Sequence, residues 1–386
     1  MLKCASVYTL EVDNPQIALT NIMEQLDEKI TLLENSVGLI MCHPEFIVTG
    51  VMKYICDSLP FDLAGITTSS QSVNDGIGEI MLTIFVMTSD DVRFLTGATE
   101  GLIENVDGPV SDAYKRATAG VSELPKVIIM FPPFGIHPGD AYVSAMEKNA
   151  PNVPIFGTHA IDDTVSFKES ETIYNGVSFE SAMSFVLCYG NISPRFLIAT
   201  FDESSAVSSK ANITEAKGNV VYKINNMSAL EFFERREKTA SINYFLPFLI
   251  DLLRREDYDG VPVIRGFASF TDEGAAVFYG NVDEGSTFTM LGCEPDDIIS
   301  STCKKIEEIN EMQDVNGALL FPCVVRRAVL LGANKPLAEL QGAKDALDPK
   351  IPFMAGYAGG EICPTSVRDG IPTNRFHNYS LVVLVV

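Results

Sequence analysis

PFMAGYAGGEICP (352–364) is the stretch from which the remaining chain can be read. An apolar run leads into small residues and glycines, then to one carboxylate, Glu361. Glycine lets backbone approach backbone or a ligand closely, because no Cβ intervenes. After a polar loop, NRFHNYSLVVLVV (374–386) places His377 and Asn378 ahead of an almost purely aliphatic strand. The order is strand, glycine exit, connector, long strand.

Upstream of it, GALLFPCVVRRAVLLG (317–332) begins as a strand, stops at proline and cysteine, and is followed by helix-forming sequence over about 335–347. The same order occurs twice earlier. VGLIMCHP (37–44), the helical spacing of EFIVTGVMKYICDSLP (45–60), FDLAGITTSS (61–70) and IGEIMLTIFVMTSD (77–90) form one copy. KVIIMFPPFG (126–135), GDAYVSAMEKNAP (139–151), PIFGTHAIDD (154–163) and NGVSFESAMSFVLCYG (175–190) form another. Runs this uniformly apolar read as strands buried on both faces. Outside the copies, PQIALTNIMEQLDEKITLL (15–33) places Ile22, Leu26, Ile30 and Leu33 on one helical face.

The chain is thus a mixed α/β protein with an internal strand–helix–strand–strand repeat, near 37, 126 and 317. A degenerate fourth copy is expected in the middle, where a helical block (227–257) precedes VPVIRGFASFTDEGAAVFYGN (261–281) and a second helix, about 296–312. Uneven spacing disfavours a solenoid and favours two related halves packed together. The polar window DESSAVSSKANITEAKGN (202–219) is the expected junction, giving domains of 1–215 and 216–386.

Composition narrows the function. The chain has 386 residues, 46% of them apolar and 20% charged, so a large core can be buried. Its formal net charge of −23 argues against nucleic acid and against anionic membrane surfaces. No secretory segment and no apolar run of transmembrane length is visible. The eight cysteines are scattered without a CxxC pair, so they read as buried thiols in a reducing cytoplasm and not as metal ligands.

On these residues the chain resembles the FIST family, with its FIST-N and FIST-C sensory regions. The FIST-C resemblance rests on LLFPCVVRR (319–327), on PFMAGYAGGEICP, similar to the family's aromatic-Gly-Glu-Ile-x-Pro signature, and on FHNYSLVVL (376–384). FIST-N is matched by LIMCHP (39–44), LAGITTSS (63–70), VIIMFPP (127–133) and PIFGTHAIDD. The first glycine exit lacks the Gly-Glu pair, the nearest being Gly78-Glu79, and the second has Gly-Thr-His. The resemblance implies cytoplasmic signal sensing without catalysis, with amino acids or similar small molecules as ligands. For some members it implies haem-based sensing of nitric oxide.

Candidate binding residues follow from charge in apolar surroundings. Arg326 and Arg327 follow an apolar strand, and Arg265 sits in VIRGF. Guanidinium is the natural fork for a carboxylate, but buried and unpaired it is very costly, so an ion pair with Glu361 is the structural reading. An amino acid would want both signs, which Arg326, Arg265 and Glu361 would supply, with Tyr357 as a wall; Arg327 is a further candidate beside Arg326. His377 and Asn378 complete the ligand-binding set. His377 reads either as a neutral imidazole bonded to a carbonyl or as a haem ligand. No GxGxxG, GxxxxGK[ST] or GxSxG motif is present, and Asp162-Asp163 and Asp296-Asp297 are adjacent pairs whose side chains diverge. The expected function is a soluble sensor that binds a small carboxylate and signals to a partner protein in trans. No metal, catalytic residue or resident cofactor is expected. The alternatives are a haem-binding gas sensor, or an enzyme using Glu361 or Cys323.

Overall fold

The computed structural model describes residues 1–164, 166–201, 204, 209–237, 248–251 and 261–386. The first repeat unit comprises β1 (Lys3–Thr9), α1 (Pro15–Lys29), β2 (Asn35–Cys42), α2 (Glu45–Val48), α3 (Val51–Ser58), β3 (Asp62–Thr67), the hairpin β4 (Gln71–Val73) and β5 (Gly76–Gly78), and β6 (Leu82–Ser89). The second comprises β7 (Val92–Ala98), α4 (Asp107–Ala117), β8 (Val127–Phe131), α5 (Gly139–Asn149), β9 (Ile155–Thr158), the hairpin β10 (Thr172–Tyr174) and β11 (Val177–Phe179), and β12 (Ser184–Gly190). The third opens with β13 (Arg195–Ala199). An insertion follows, containing β14 (Ala211–Lys217), β15 (Val220–Ile224), β16 (Met227–Ser228), α6 (Ala229–Glu237), β17 (Phe248–Asp251), β18 (Val263–Arg265), β19 (Phe267–Phe270), β20 (Ala276–Phe278) and β21 (Thr287–Met290). The unit resumes with α7 (Pro295–Asn310), β22 (Ala318–Pro322), α8 (Val324–Gly332), α9 (Ala338–Ala346), β23 (Phe353–Gly356), the hairpin β24 (Glu361–Arg368) and β25 (Ile371–His377), and β26 (Leu381–Val385).

Three six-stranded sheets share one order: β1-β6-β2-β3-β10-β11, β7-β12-β8-β9-β24-β25 and β13-β26-β22-β23-β4-β5. In each, the third and fourth strands are parallel and the other neighbours antiparallel. The last two strands of every sheet are a hairpin lent by another unit. The first unit lends to the third sheet, the second to the first and the third to the second, which closes a cycle.

The inner faces of the sheets meet in one apolar core, to which Phe85, Phe131, Phe156 and Phe321 contribute. The Phe156 and Phe321 rings stack at 5.2 Å. Helices cover the outer faces: α1 and α3 on the first sheet, α4 and α5 on the second, α7 and α9 on the third. Both faces of the central strands are therefore buried, which is why they read as unbroken apolar runs. Parallel strands also come very close at Gly157, whose φ is 156° and where a Cβ would stand 1.9 Å from the Met130 carbonyl oxygen.

The mixed α/β reading with its repeated units describes this architecture, and details differ. The middle of the chain is not a fourth copy: its described strands pair only antiparallel, in the order β18-β17-β21-β14-β15-β20-β19 with β16 on β15. Of the helical block at 227–257, residues 229–237 are helical, 248–251 are a strand, and 238–247 and 252–257 lie outside the described residues. The helix expected over 45–60 is broken by Gly50 at φ 78°. The first helix stops at Lys29, leaving Ile30 extended. The strand expected over 77–90 begins at Leu82, because Gly76–Gly78 belongs to a lent hairpin. The junction window 202–219 lies partly outside the described residues, and the 215/216 boundary falls within β14. Strands from either side of it share sheets, β13 with β26 and β9 with β24. No described helix is long and apolar enough to cross a membrane.

Candidate functional site

Beyond each parallel pair the chain crosses over in the same way. Thr68 N–H donates to the Cys42 carbonyl at 2.9 Å, Ala160 N–H to Pro132 at 3.1 Å and Ala358 N–H to Pro322 at 2.9 Å. The three exits then bond one another: Ile161 N–H to the Thr67 carbonyl, Tyr357 N–H to Ser70 and Gly359 N–H to His159. The glycine exits thus converge at one end of the three-sheet body, and the inserted sheet docks there. Between body and insert lies a cavity of about 290 Å³, near the small end of the roughly 300–1,000 Å³ usual for small-molecule sites.

Its walls are mostly apolar: Phe134 and Phe167 from the second unit, Val324 and Leu331 from α8, Phe267 and Tyr279 from the insert. Its polar groups are Asp162, Asp163, Thr164, Cys323, Arg327 and Asn378. Gly359 lets the wall close, since a Cβ there would stand 2.5 Å from the Phe134 ring. Asn378 Oδ1 accepts from Gly266 N–H at 3.2 Å, tying the insert to the turn before β26.

Of the residues expected to bind a ligand, Arg327 and Asn378 line this cavity and the others do not. Arg327 lies on the first turn of α8, with Nε donating to Ser70 Oγ at 2.9 Å and Nη2 to Glu79 Oε1 at 2.8 Å. Arg326, one residue earlier, points about 100° away around the helix. Its guanidinium is wholly buried and donates to Glu339 Oε1 at 2.8 Å, to Thr302 Oγ1 at 2.9 Å and to the carbonyls of Tyr379 and Ile298. Its ion-pair partner is thus Glu339 on α9, not Glu361. Arg265 is also buried outside the cavity, where it latches the insert to the body: Nε donates to the Asn281 carbonyl at 2.9 Å and Nη1 to Phe376 at 3.3 Å. Tyr357 is buried beside Glu339 and Arg326, and burial raises its pKa well above the ordinary value.

Glu361 is fully buried behind the cavity. Its Oε2 accepts from Ser380 Oγ at 2.7 Å and Ser380 N–H at 3.3 Å, while Oε1 has no hydrogen-bond partner among the described residues. Strand register places Gln71 and Thr172 at the equivalent positions of the other units, since each begins a lent hairpin and faces the corresponding residue of the parallel pair. Both meet the equivalent residue of their own unit in the opposite sense, as donors: Gln71 Nε2 to the Met81 carbonyl and Thr172 Oγ1 to the Ala182 carbonyl. Burial pushes the Glu361 carboxyl up to about 8, against the pull of its Ser380 hydrogen bonds. A neutral acid therefore takes the place of a neutral amide and a hydroxyl. Cys323, beside it, lines the cavity, and burial together with Glu361 holds its thiol far above the ordinary pKa, so it stays protonated.

His377 makes the carbonyl contact of the structural reading, with Nε2 3.1 Å from the Cys363 carbonyl, and burial lowers its pKa to about 4. His159 is likewise lowered to about 4 by burial. His137 Nε2 lies 2.6 Å from the Leu102 carbonyl and His43 Nε2 3.2 Å from Asp163 Oδ2. None of the four lines the cavity. No group of three or more His, Cys, Asp or Glu suited to a metal ion occurs among the described residues.

Sequence reasoning did not reach the aromatic walls, and it singled out Glu79 only as part of the nearest Gly-Glu pair, not as a partner of Arg327. Phe134 follows directly on a strand-stopping Pro-Pro pair, a usable signal. Phe267 and Tyr279 belong to the insert, whose docking place no local pattern encodes.

Comparison with known proteins gives two matches that together span most of the chain: the FIST N domain over residues 36–227 and the FIST C domain over residues 229–364. No curated protein matches. Among solved structures, one described as the structure of PurLQS from Thermotoga maritima aligns over 100% of this chain and 71% of that one. At 10% identity and a TM-score of 0.21, it carries no argument.

Proposed function

The chain belongs to the FIST family, whose domains are sensory signal-transduction domains, and from that premise we propose that it binds a small carboxylate, such as an amino acid, in the cavity between body and insert. The observation that carries this reading is Arg327, a nearly buried cation in the wall of a mostly apolar cavity of an acidic protein. A carboxylate docks on the guanidinium. An ammonium group, where present, faces Asp163; both oxygens of Asp162 already accept backbone N–H groups, from Thr164 and Glu169. An apolar side chain fills the space among Phe134, Phe267 and Leu331.

We read the protein as a binding module and not an enzyme. Burial holds the Cys323 thiol protonated, the neighbouring Glu361 carboxyl is pushed up to about 8 by its own burial, and Glu361 is behind the wall. The occupied state signals to a partner protein in trans, and the eight free cysteines suit a cytoplasmic setting. The test is thermal unfolding against a panel of amino acids and organic acids that includes benzoate. At a ligand concentration of about 100 Kd, stabilisation reaches about 2.7 kcal/mol. Arg327→Ala should abolish the shift while the variant still unfolds cooperatively. A panel that shifts nothing, or a shift that survives Arg327→Ala, overturns the reading.

A further inference from the structure

Arg327 is neutralised by the protein itself. Its two hydrogen-bonded partners, Ser70 and Glu79, come from the first unit and flank the lent β4–β5 hairpin on the third sheet. The two members of the ion pair differ in freedom. The Arg327 side chain is 10% exposed, whereas that of Glu79 is 49% exposed. The arginine is fixed by α8 and by Ser70, which is itself fully buried. The glutamate reaches the pair from the solvent side and can leave without being desolvated. Nη1 of Arg327 makes no hydrogen bond among the described residues, and Arg327 lines the cavity.

We propose that Glu79 is an internal counter-ion that the ligand's carboxylate replaces: as the acid docks on Arg327, the Glu79 carboxylate is released to water. This rests on the carboxylate reading above and adds a residue that sets affinity. A guanidinium so nearly buried requires an anion, which Glu79 supplies when the cavity is empty. Two carboxylates on one guanidinium repel each other, and the exposed one yields at the lower cost. Exchange keeps one anion per cation in both states. Because Glu79 lies between the hairpin and β6, its release also carries occupancy of the cavity to the first unit.

The experiment compares benzoate with benzamide, its uncharged isostere, by isothermal titration of wild type, Glu79→Gln and Arg327→Ala. A half-exposed ion pair is worth up to about 1 kcal/mol, so Glu79→Gln should bind benzoate up to about fivefold more tightly, with benzamide unchanged. Hydrogen exchange over residues 74–81 should rise when wild type binds benzoate and should already be raised in free Glu79→Gln. Benzoate binding that requires Arg327 but is unchanged or weakened in Glu79→Gln overturns this proposal alone. Absence of benzoate binding in both wild type and Glu79→Gln overturns it together with the carboxylate reading.

Discussion

Glu361 shows how one position in a repeat takes on a different chemistry. Gln71 and Thr172 meet the equivalent residue of their units as donors that do not titrate near neutrality, whereas Glu361 meets Ser380 as an acceptor, and its burial favours the protonated form. Its folded pKa of about 8 exceeds the ordinary 4.5, so its contribution to stability is complete below about 4.5 and lost as pH rises through 8. Urea unfolding of the wild type should therefore show a loss on the order of a few kcal/mol between about pH 5 and about pH 8.5, largely absent in Glu361→Gln. Equal pH dependence in the two proteins would mean that Glu361 is ionised in the fold. Single residues were only partly legible in the sequence. A charge in an apolar run identifies Arg265, Arg326, Arg327 and Glu361 as unusual. It does not say which way α8 turns, and that rotation alone sends Arg327 to the cavity and Arg326 to Glu339.

Among the elements, the lent hairpins separate what sequence conveys from what it hides. Strands β2, β8 and β22 are legible because burial on both faces leaves a continuous apolar run. Hairpins such as β4–β5 and β10–β11 have strands of three residues, and nothing in their local pattern says that they leave their own unit. Ile173 illustrates the consequence: it belongs to the second unit, yet it is fully buried in the core beneath α1 and α3 of the first. Ile173→Ala should cost about 2–5 kcal/mol. The loosening should appear by hydrogen exchange in β3 and α3, in preference to β8 and β9. Loosening confined to the second sheet would contradict the exchange of hairpins. The break at Gly50 was hidden for a different reason: its flanks continue a helical spacing, and only its left-handed backbone interrupts the helix.

For the whole molecule, the cyclic exchange makes the three units mutually dependent, and their convergent exits provide a floor on which the insert sits. Three copies and the mixed α/β class are visible in the sequence because each copy preserves the order of strand, stop, helix and glycine exit, whereas the fourth copy expected in the middle is an antiparallel insert. The cavity is not visible there, because it exists only where the insert meets that floor through long-range contacts such as Gly266 to Asn378 and Arg265 to Phe376. The central claim is that ligand binds at this junction. The most direct measurement is hydrogen–deuterium exchange of the wild type with and without benzoate. Protection should concentrate on both sides of the cavity, in segments containing Phe134, Thr164, Gly266, Tyr279 and Arg327. Protection confined to body or insert alone, or no change in any of these segments, would contradict the account.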